Sequence, residues 1–589
     1  MSAIVLLVVG LTAFLTGYQL YSRYIARHVY RLDPDFETPA HQFEDGVDYV
    51  PTNKHVLFGH HFTSVAGAAP IVGPAIAVIW GWLPAFLWVV LGTVFAGAVH
   101  DFGALWLSVR NKGQSIGTLT EGIVGSRARV LFLLIIFFLL LMVNAVFAVV
   151  IANLFIANPG AIFPVWMEVP TAMAIGVLVY RTRSGILIPS IIGLLLLYVY
   201  IWMGQYVDPQ LPDFFGFTPT AAQIEAAGGD LTAAQAAAVT DGIRAGWVII
   251  MLLYGLVASS LPVWLLLQPR DYINSHQLFV ALAVIFAGVV IVNPEVVAPA
   301  VNTDLPPDSP GWFPLLFITI ACGAISGFHG LVASGTTSKQ LDRETDARYV
   351  GYGGMTGEGT LALTSILATT AGFALYAGVD GWREHYGSFA QAAAGGVHAF
   401  VSGVGALAEG VGIPHEVAVI FAAVVVISFA ATTMDTGVRL QRYIIEELGA
   451  QYRVKLLQNG VLASLVAVIT IGALALGVDR GAGGMRIWPL FGTTNQLTGA
   501  LTLLVITIVL MAKGRNAWVT AVPMVFLFFM TTWAMIEQLA DHFASQWMLF
   551  GTGALIFVLE IWLILEAVSA IRATVARLRS GAEEPASRK

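Results

Sequence analysis

Phe62-Thr-Ser-Val-Ala-Gly-Ala-Ala-Pro-Ile-Val-Gly-Pro-Ala75 decides the fold. The segment is apolar throughout, yet it contains Gly67, Pro70, Gly73 and Pro74, residues that remove donors from a helix or loosen it. In lipid every backbone N–H and C=O needs an internal partner, so an interrupted helix survives at membrane depth only where protein buries it or a wet cavity adjoins it. Two readings follow. One is a kinked packing helix whose small residues admit close neighbours. The other is a broken helix at a binding site, with Ala66, Gly67, Ala69 and Gly73 as substrate contacts.

The rest of the chain supplies the context. Its 589 residues are 57% hydrophobic and 11% charged, with mean hydropathy +0.79, whereas soluble proteins carry roughly a quarter charged residues. Apolar runs of about 20 residues, each enough to cross a ~30 Å hydrocarbon core, recur near 4–21, 62–79, 83–108, 130–156, 164–181, 185–204, 245–267, 276–294, 313–333, 356–377, 416–438, 456–478, 488–511, 517–538 and 547–571. The expectation is an all-α polytopic membrane protein with about 15 transmembrane helices. Basic residues follow the first run instead of preceding it, so that run is a retained helix and not a cleaved leader.

Lys and Arg near span ends set orientation. With the N-terminus outside and the C-terminus cytoplasmic, all but Arg244, Arg383, Arg480 and Arg486 of the 29 Lys and Arg fall inside, Arg183, Arg270 and the tail's Arg577 and Arg579 among them. A crossing by the Gly/Ala-rich 390–411 would turn Arg439, Arg442, Arg453 and Lys455 outward, so that stretch is expected to be re-entrant or to lie on the outer surface. The same scheme puts the acidic 205–244 outside and predicts a surface helix within it.

Several function classes drop out. The basic residues form no stripe for nucleic acid. There is no phosphate loop, and His415-Glu416 lacks the second histidine of a zinc-hydrolase motif. The single cysteine, Cys322, excludes a disulfide framework, and no cofactor or metal is expected. A non-enzymatic role in the membrane remains.

A second interrupted span strengthens the binding-site reading. Tyr254-Gly-Leu-Val-Ala-Ser-Ser-Leu-Pro262 brings Ser259 and Ser260 up to a proline, five spans after the first break and running the opposite way. This is the spacing of an inverted five-plus-five repeat, in which paired broken helices face a mid-membrane site. The span over 313–333 continues into Ser334, Thr336 and Thr337, hydroxyls placed to ligate a cation or, more simply, to bond back to their own helix.

Ionisable groups inside spans are functional suspects because burying them is costly. They are His100, Asp101, Glu168, His329, Glu358, Asp435 and Glu560. Asp101 and His329, with His100, are the candidates for proton coupling. His55, His60 and His61 precede the first broken helix. His60 and His61 suit gating or proton relay better than a metal site, since adjacent histidines seldom converge on one ion.

The motifs also resemble a known family. Asn53-Lys-His-Val-Leu-Phe-Gly-His-His-Phe62 with the opening stretch, then Gly97-Ala-Val-His-Asp-Phe102, Leu267-Gln-Pro-Arg-Asp-Tyr272, Ser334-Gly-Thr-Thr-Ser-Lys-Gln340, Thr432-Thr-Met-Asp-Thr-Gly437 and Trp488-Pro-Leu-Phe-Gly-Thr-Thr-Asn-Gln-Leu497 resemble the carbon starvation protein A family. The resemblance implies a bacterial inner-membrane transporter of the amino acid–polyamine–organocation superfamily that takes up peptides or, with protons, pyruvate. It also implies a family-specific C-terminal helical region. The expected organisation is a first helix and loop over 1–54, a transporter core over 55–385, a C-terminal membrane region over 386–575 and a basic tail over 576–589. The expected activity is proton-coupled symport of pyruvate or small peptides. Sodium-coupled uptake of another organic acid or amino acid, and a non-transporting nutrient sensor, stand as alternatives. The apparent scarcity of fixed charge in the core spans tilts the expectation toward a small monocarboxylate.

Overall fold

Helices start where the sequence supplies a cap. The Asn53 side chain accepts from His55 N at 2.9 Å, and the Asp230 carboxylate accepts from Thr232 N at 2.8 Å. The computed structural model describes residues 1–580 apart from 47, 183–184, 208, 478, 482–483 and 544–545, so Arg183 and the tail from 581 lie outside the described residues. The elements used below are α1 (Ala3–Val29), α2 (Lys54–Val65), α3 (Ala69–Trp80), α4 (Trp82–Val109), α5 (Ser126–Ala157), α6 (Pro159–Thr182), α7 (Leu187–Gly204), α8 (Leu231–Ser260), α9 (Leu267–Val292), α10 (Trp312–Thr319), α11 (Gly327–Gly335), α12 (Glu344–His385), α13 (Phe389–Glu409), α14 (His415–Gln451), α15 (Gly460–Gly477), α16 (Arg486–Ala512), α17 (Trp518–Asp541) and α18 (Trp547–Ala576).

Among the described residues, thirteen helices are long and apolar enough to cross a membrane, or fourteen when the bent pair α2–α3 is counted as one span. The expected fifteenth, 313–333, is itself interrupted, each of its pieces being too short to be counted alone. That stretch is not one helix but α10 and α11, with non-helical backbone at Ile320 and Ser326 between them. A second correction concerns 245–267. α8 runs unbroken to Ser260, and Leu261 is extended (φ −75°, ψ 151°), the conformation favoured before a proline. Pro262 therefore lies past the end of the helix and interrupts nothing. The expected surface helix within 205–244 forms as the short exposed Ala221–Ala226, capped by Thr220, and the Ala-rich run after Asp230 forms the first turns of α8.

The two helices that do break pack against each other head to tail, α2 on α11 and α3 on α10. Their interruptions begin with nearly the same backbone turn, at Ala66 (φ −77°, ψ 70°) and Ile320 (φ −87°, ψ 64°). Pro70 falls in the first turn of α3, where its missing N–H has no helical partner to lose. Gly73 permits the close approach, because a Cβ there would sit 2.3 Å from the Thr319 carbonyl oxygen. Between these broken helices the chain makes six crossings, two more than a five-plus-five repeat allows. The buried helices α5 and α14 pack side by side next to the first break, where Gly67 faces Phe147 of one and Thr433 of the other.

α13, the 390–411 stretch, has both ends on one side. At its start Asp308 accepts from Phe389 N and Ala390 N at 3.0 Å, and beyond its finish Gly410 packs against Val292. Both partners flank or belong to the loop 293–311, whose Asn302 and Pro299 also bond the turn between α3 and α4. The stretch therefore adds no crossing.

Candidate functional site

The gap between α10 and α11 leaves backbone groups without helical partners, and a helix far along the chain supplies them. Asn495 of α16 accepts from Phe328 N at 3.0 Å and donates to Ser326 Oγ at 3.0 Å and to Cys322 Sγ at 3.2 Å. Its neighbour Gln496 donates to the Phe317 carbonyl. The polar pair inside Trp488–Leu497 thus holds the second broken helix open.

Just beyond that gap lies a fully buried titratable cluster. Asp101 Oδ1 is 2.7 Å from His100 Nδ1, and Oδ2 is 2.9 Å from His329 Nδ1. On the other side of the ring, His329 Nε2 is 2.9 Å from Glu358 Oε2. All four side chains are inaccessible to solvent. An imidazole between two carboxylates in a dry interior is a proton-holding arrangement, since the ring must be charged, or an acid neutral, to avoid a large burial cost. Donor atoms of Cys322, His329 and Glu358 also lie within 4.8 Å of one another, a trio of metal-ligating types. Both ring nitrogens of His329 already face carboxylates and Asn495 engages Cys322, so the geometry suits a proton better than a metal ion.

The adjacent histidines of α2 diverge. His61 Nδ1 meets Thr337 Oγ1 at 2.9 Å. His60 Nδ1 meets Asp271 Oδ2 at 2.6 Å, and Ser64 Oγ donates to the same oxygen at 3.2 Å. His60 also lines a small open vestibule bordered by Thr336, Lys339, Thr436 and Arg439.

Beside Asp271 is a second charge cluster. The Arg270 guanidinium, 1% exposed, has Nη1 2.9 Å from Asp435 Oδ2 and Nε 3.5 Å from Glu168 Oε1. Tyr254 donates to Asp435 Oδ2 at 2.7 Å, and Ser428 to Glu168 Oε2 at 3.0 Å. The charge count places Arg270 in an inner loop; it stands instead in the first turn of α9, inside the bundle. The core is therefore not poor in fixed charge.

The expected site residues divide accordingly. Ala66 and Gly67 lie in the first break, Ala69 opens α3, and Gly73 makes a tight contact between the broken helices. Ser259 and Ser260 are elsewhere. Their hydroxyls bond back to Leu256 O at 3.1 and 2.9 Å, while Arg439 and Arg442 cap the end of α8 through the carbonyls of Ala258, Leu261 and Ser259. Ser334 and Thr336 likewise bond back, to Gly330 O and Val332 O, and Thr337 serves His61. His100, Asp101 and His329 come together, with Glu358 completing the group. Asp271 and Asn495 gain their roles only from the fold, although both sit in the quoted motifs.

Comparison with known proteins adds the family. Residues 2–534 match the family described as carbon starvation protein CstA. The peptide transporter CstA of Campylobacter jejuni is 33% identical, the match covering 92% of this chain and 81% of that one. The pyruvate/proton symporter BtsT of Escherichia coli is 32% identical, over 91% and 81%. A solved manganese transporter from Eremococcus coleocola superposes with a TM-score of 0.45 at 12% identity, over 90% of this chain and 99% of that one. The relatives are transporters and not enzymes. On the extent of these matches, this chain belongs to the carbon starvation protein CstA family.

Proposed function

We propose that this multi-pass membrane protein is a proton-coupled symporter importing pyruvate or short peptides, through a core over 55–385, with its N-terminus outside a bacterial inner membrane. The observation that carries the reading is the placement of the histidines. Each of these broken helices contributes an imidazole to a carboxylate on another helix: His60 of α2 to Asp271 of α9, and His329 of α11 to Asp101 of α4 and Glu358 of α12. A half-helix that swings during alternating access carries its histidine away from its acid and changes how tightly the proton is held. The matching turns at Ala66 and Ile320 support an inverted pair of broken helices, as in the amino acid–polyamine–organocation superfamily, with two extra helices inserted between them.

Proton coupling is favoured over sodium coupling because both broken helices place a titratable imidazole against a carboxylate. The relatives' names support both substrates, one being a peptide transporter and one a pyruvate/proton symporter. The test is uptake of labelled pyruvate, alanyl peptides and free amino acids into proteoliposomes under imposed proton or sodium gradients. Accumulation of pyruvate or a peptide driven by the proton gradient is expected. Absence of uptake under either gradient overturns the proposal.

A further inference from the structure

The vestibule that His60 lines contains three buried polar atoms with no hydrogen-bond partner among the described residues: His60 Nε2, Thr436 Oγ1 and Arg439 Nε. Their side chains belong to residues only 5%, 2% and 6% exposed. Leaving a buried polar group unpaired is costly, so three around one cavity describe a seat for a ligand. The groups are held by their other contacts. His60 is fixed through Nδ1 by Asp271. Arg439 donates Nη2 to Ala258 O at 3.1 Å and Leu261 O at 2.7 Å, which leaves its Nε–H free. Thr436 stands three residues before Arg439 on α14, on the same helix face.

From these groups we infer that the vestibule seats a carboxylate, that of a 2-oxo monocarboxylate or the C-terminus of a short peptide, and that it does so together with a proton on His60. The inference rests on the symport reading and names the chemistry that joins the two cargoes. The Thr436 hydroxyl and the Arg439 Nε–H are donors suited to an anion, and hydrogen bonds to charged groups are the stronger kind. The Asp271 carboxylate requires the proton of a neutral His60 to sit on Nδ1, so Nε2 then turns a lone pair toward the incoming carboxylate. A second proton converts Nε2 into a donor. Proton and carboxylate therefore favour each other's binding, the thermodynamic requirement of symport. The other titratable groups near the ring are Arg270 behind Asp271, His61 beside it on α2, Arg439 and Tyr443 across the cavity, and Lys339 and Asp48 on its wall. Of these and Asp271 itself, only the two aspartates oppose an anion, and Asp271 is engaged by His60 and Ser64.

The experiment measures binding of pyruvate, the dipeptide Ala-Ala and the amide of Ala-Ala to the purified full chain by calorimetry. Buffers of different ionisation enthalpy report the protons exchanged. Pyruvate or Ala-Ala, but not the amide, is expected to bind, with uptake of up to one proton per ligand and affinity falling toward tenfold per pH unit once His60 is neutral. Thr436→Val should weaken binding by about tenfold or more, and His60→Gln should abolish proton uptake and flatten the pH dependence. Arg439 also caps α8, so the conclusion rests on the other two variants, each checked for an unchanged melting temperature. Equal binding of the amide, binding without proton uptake, or wild-type affinity and pH dependence in both variants overturns the inference. Proteoliposome uptake by the same preparation separates the failures. Uptake with unaffected variants sinks the seat alone, whereas no uptake of any substrate sinks the symport reading beneath it.

Discussion

Replacing Arg270 with Met removes the guanidinium that holds Asp435 and Glu168 in the bundle. The three side chains are 1–2% exposed, with charged atoms 2.9 and 3.5 Å apart across the two pairs. Without the cation, two carboxylates face a medium that solvates them poorly, and removing one partner of a buried ion pair costs about 3–5 kcal/mol. Tyr254 and Ser428 each keep one hydrogen bond to the acids, which argues for the lower half of that range. The assay is thermal unfolding of the detergent-solubilised chain, followed with a thiol-reactive fluorophore. Cys322 is the sole cysteine and 5% exposed, so it reacts as the core opens. Arg270→Met should melt well below the wild type. Combining it with Asp435→Leu and Glu168→Gln should restore most of the loss, because no uncompensated buried charge is then left in the cluster. A single variant costing under ~1 kcal/mol, or a triple variant no better than the single, would refute the view that these charges form one electrostatic unit.

Three further outcomes are expected. Glu358→Gln and Asp101→Asn should lose proton-driven accumulation, near tenfold per imposed pH unit for one proton per substrate, while Glu358→Gln retains substrate exchange; full accumulation in either variant removes that residue from coupling. Gly73→Ala should destabilise by about 1–3 kcal/mol and more than Gly67→Ala, because the first Cβ meets the Thr319 backbone at 2.3 Å whereas the second meets side chains of Phe147 and Thr433 that can yield; equal melting temperatures would contradict this. Two backbone amides and the Ser388 hydroxyl hold the Asp308 carboxyl down at about 2, below the ordinary aspartate value of about 3.9. Its capping of α13 is then complete at neutral pH and is lost as pH falls through about 4 toward 2. Hydrogen exchange at 389–392, corrected for intrinsic rates, should be flat from pH 8 to 5 and already raised in Asp308→Asn; identical exchange in the two proteins would count against the cap.

The sequence exposes some of this architecture and hides the rest for identifiable reasons. Crossings are legible because lipid demands long apolar runs, and Asp101 and His329 stand out because ionisable groups in such runs are rare. The first break is legible because its own residues make it, with Pro70 starting a new helix after Gly67. The second is not. Ile320-Ala-Cys-Gly-Ala-Ile-Ser326 contains no proline, and what keeps it open is Asn495 and Gln496, brought back by the fold. The opposite error occurs at Pro262, where Val263-Trp-Leu-Leu-Leu267 is apolar enough to read as a continuing span although the helix has ended. Hydropathy measures composition and cannot register where helical hydrogen bonding stops. For the same reason Arg270, next to that apolar turn, counts as a loop residue until its partners on α6 and α14 are in view.

Those partners change the meaning of the chain's low charge content. Asp101, Glu168, Asp271, Glu358 and Asp435 are all at most 2% exposed, and with them are buried Arg270 and the histidines at 60, 61, 100 and 329. Arg439, also buried, is directed to the end of α8 and contacts none of the five acids through its Nη2 bonds. If every acid were ionised and every histidine neutral, the interior would carry far more negative than positive charge, and each uncompensated buried ion costs several kcal/mol. Protons bound at the histidines or at the acids would relieve that cost. On the symport reading proposed above, proton content is then a condition of the packing itself. A motion that parts His60 from Asp271, or His329 from Asp101 and Glu358, must change proton affinity and helix position together, which is the linkage a gradient-driven transporter needs.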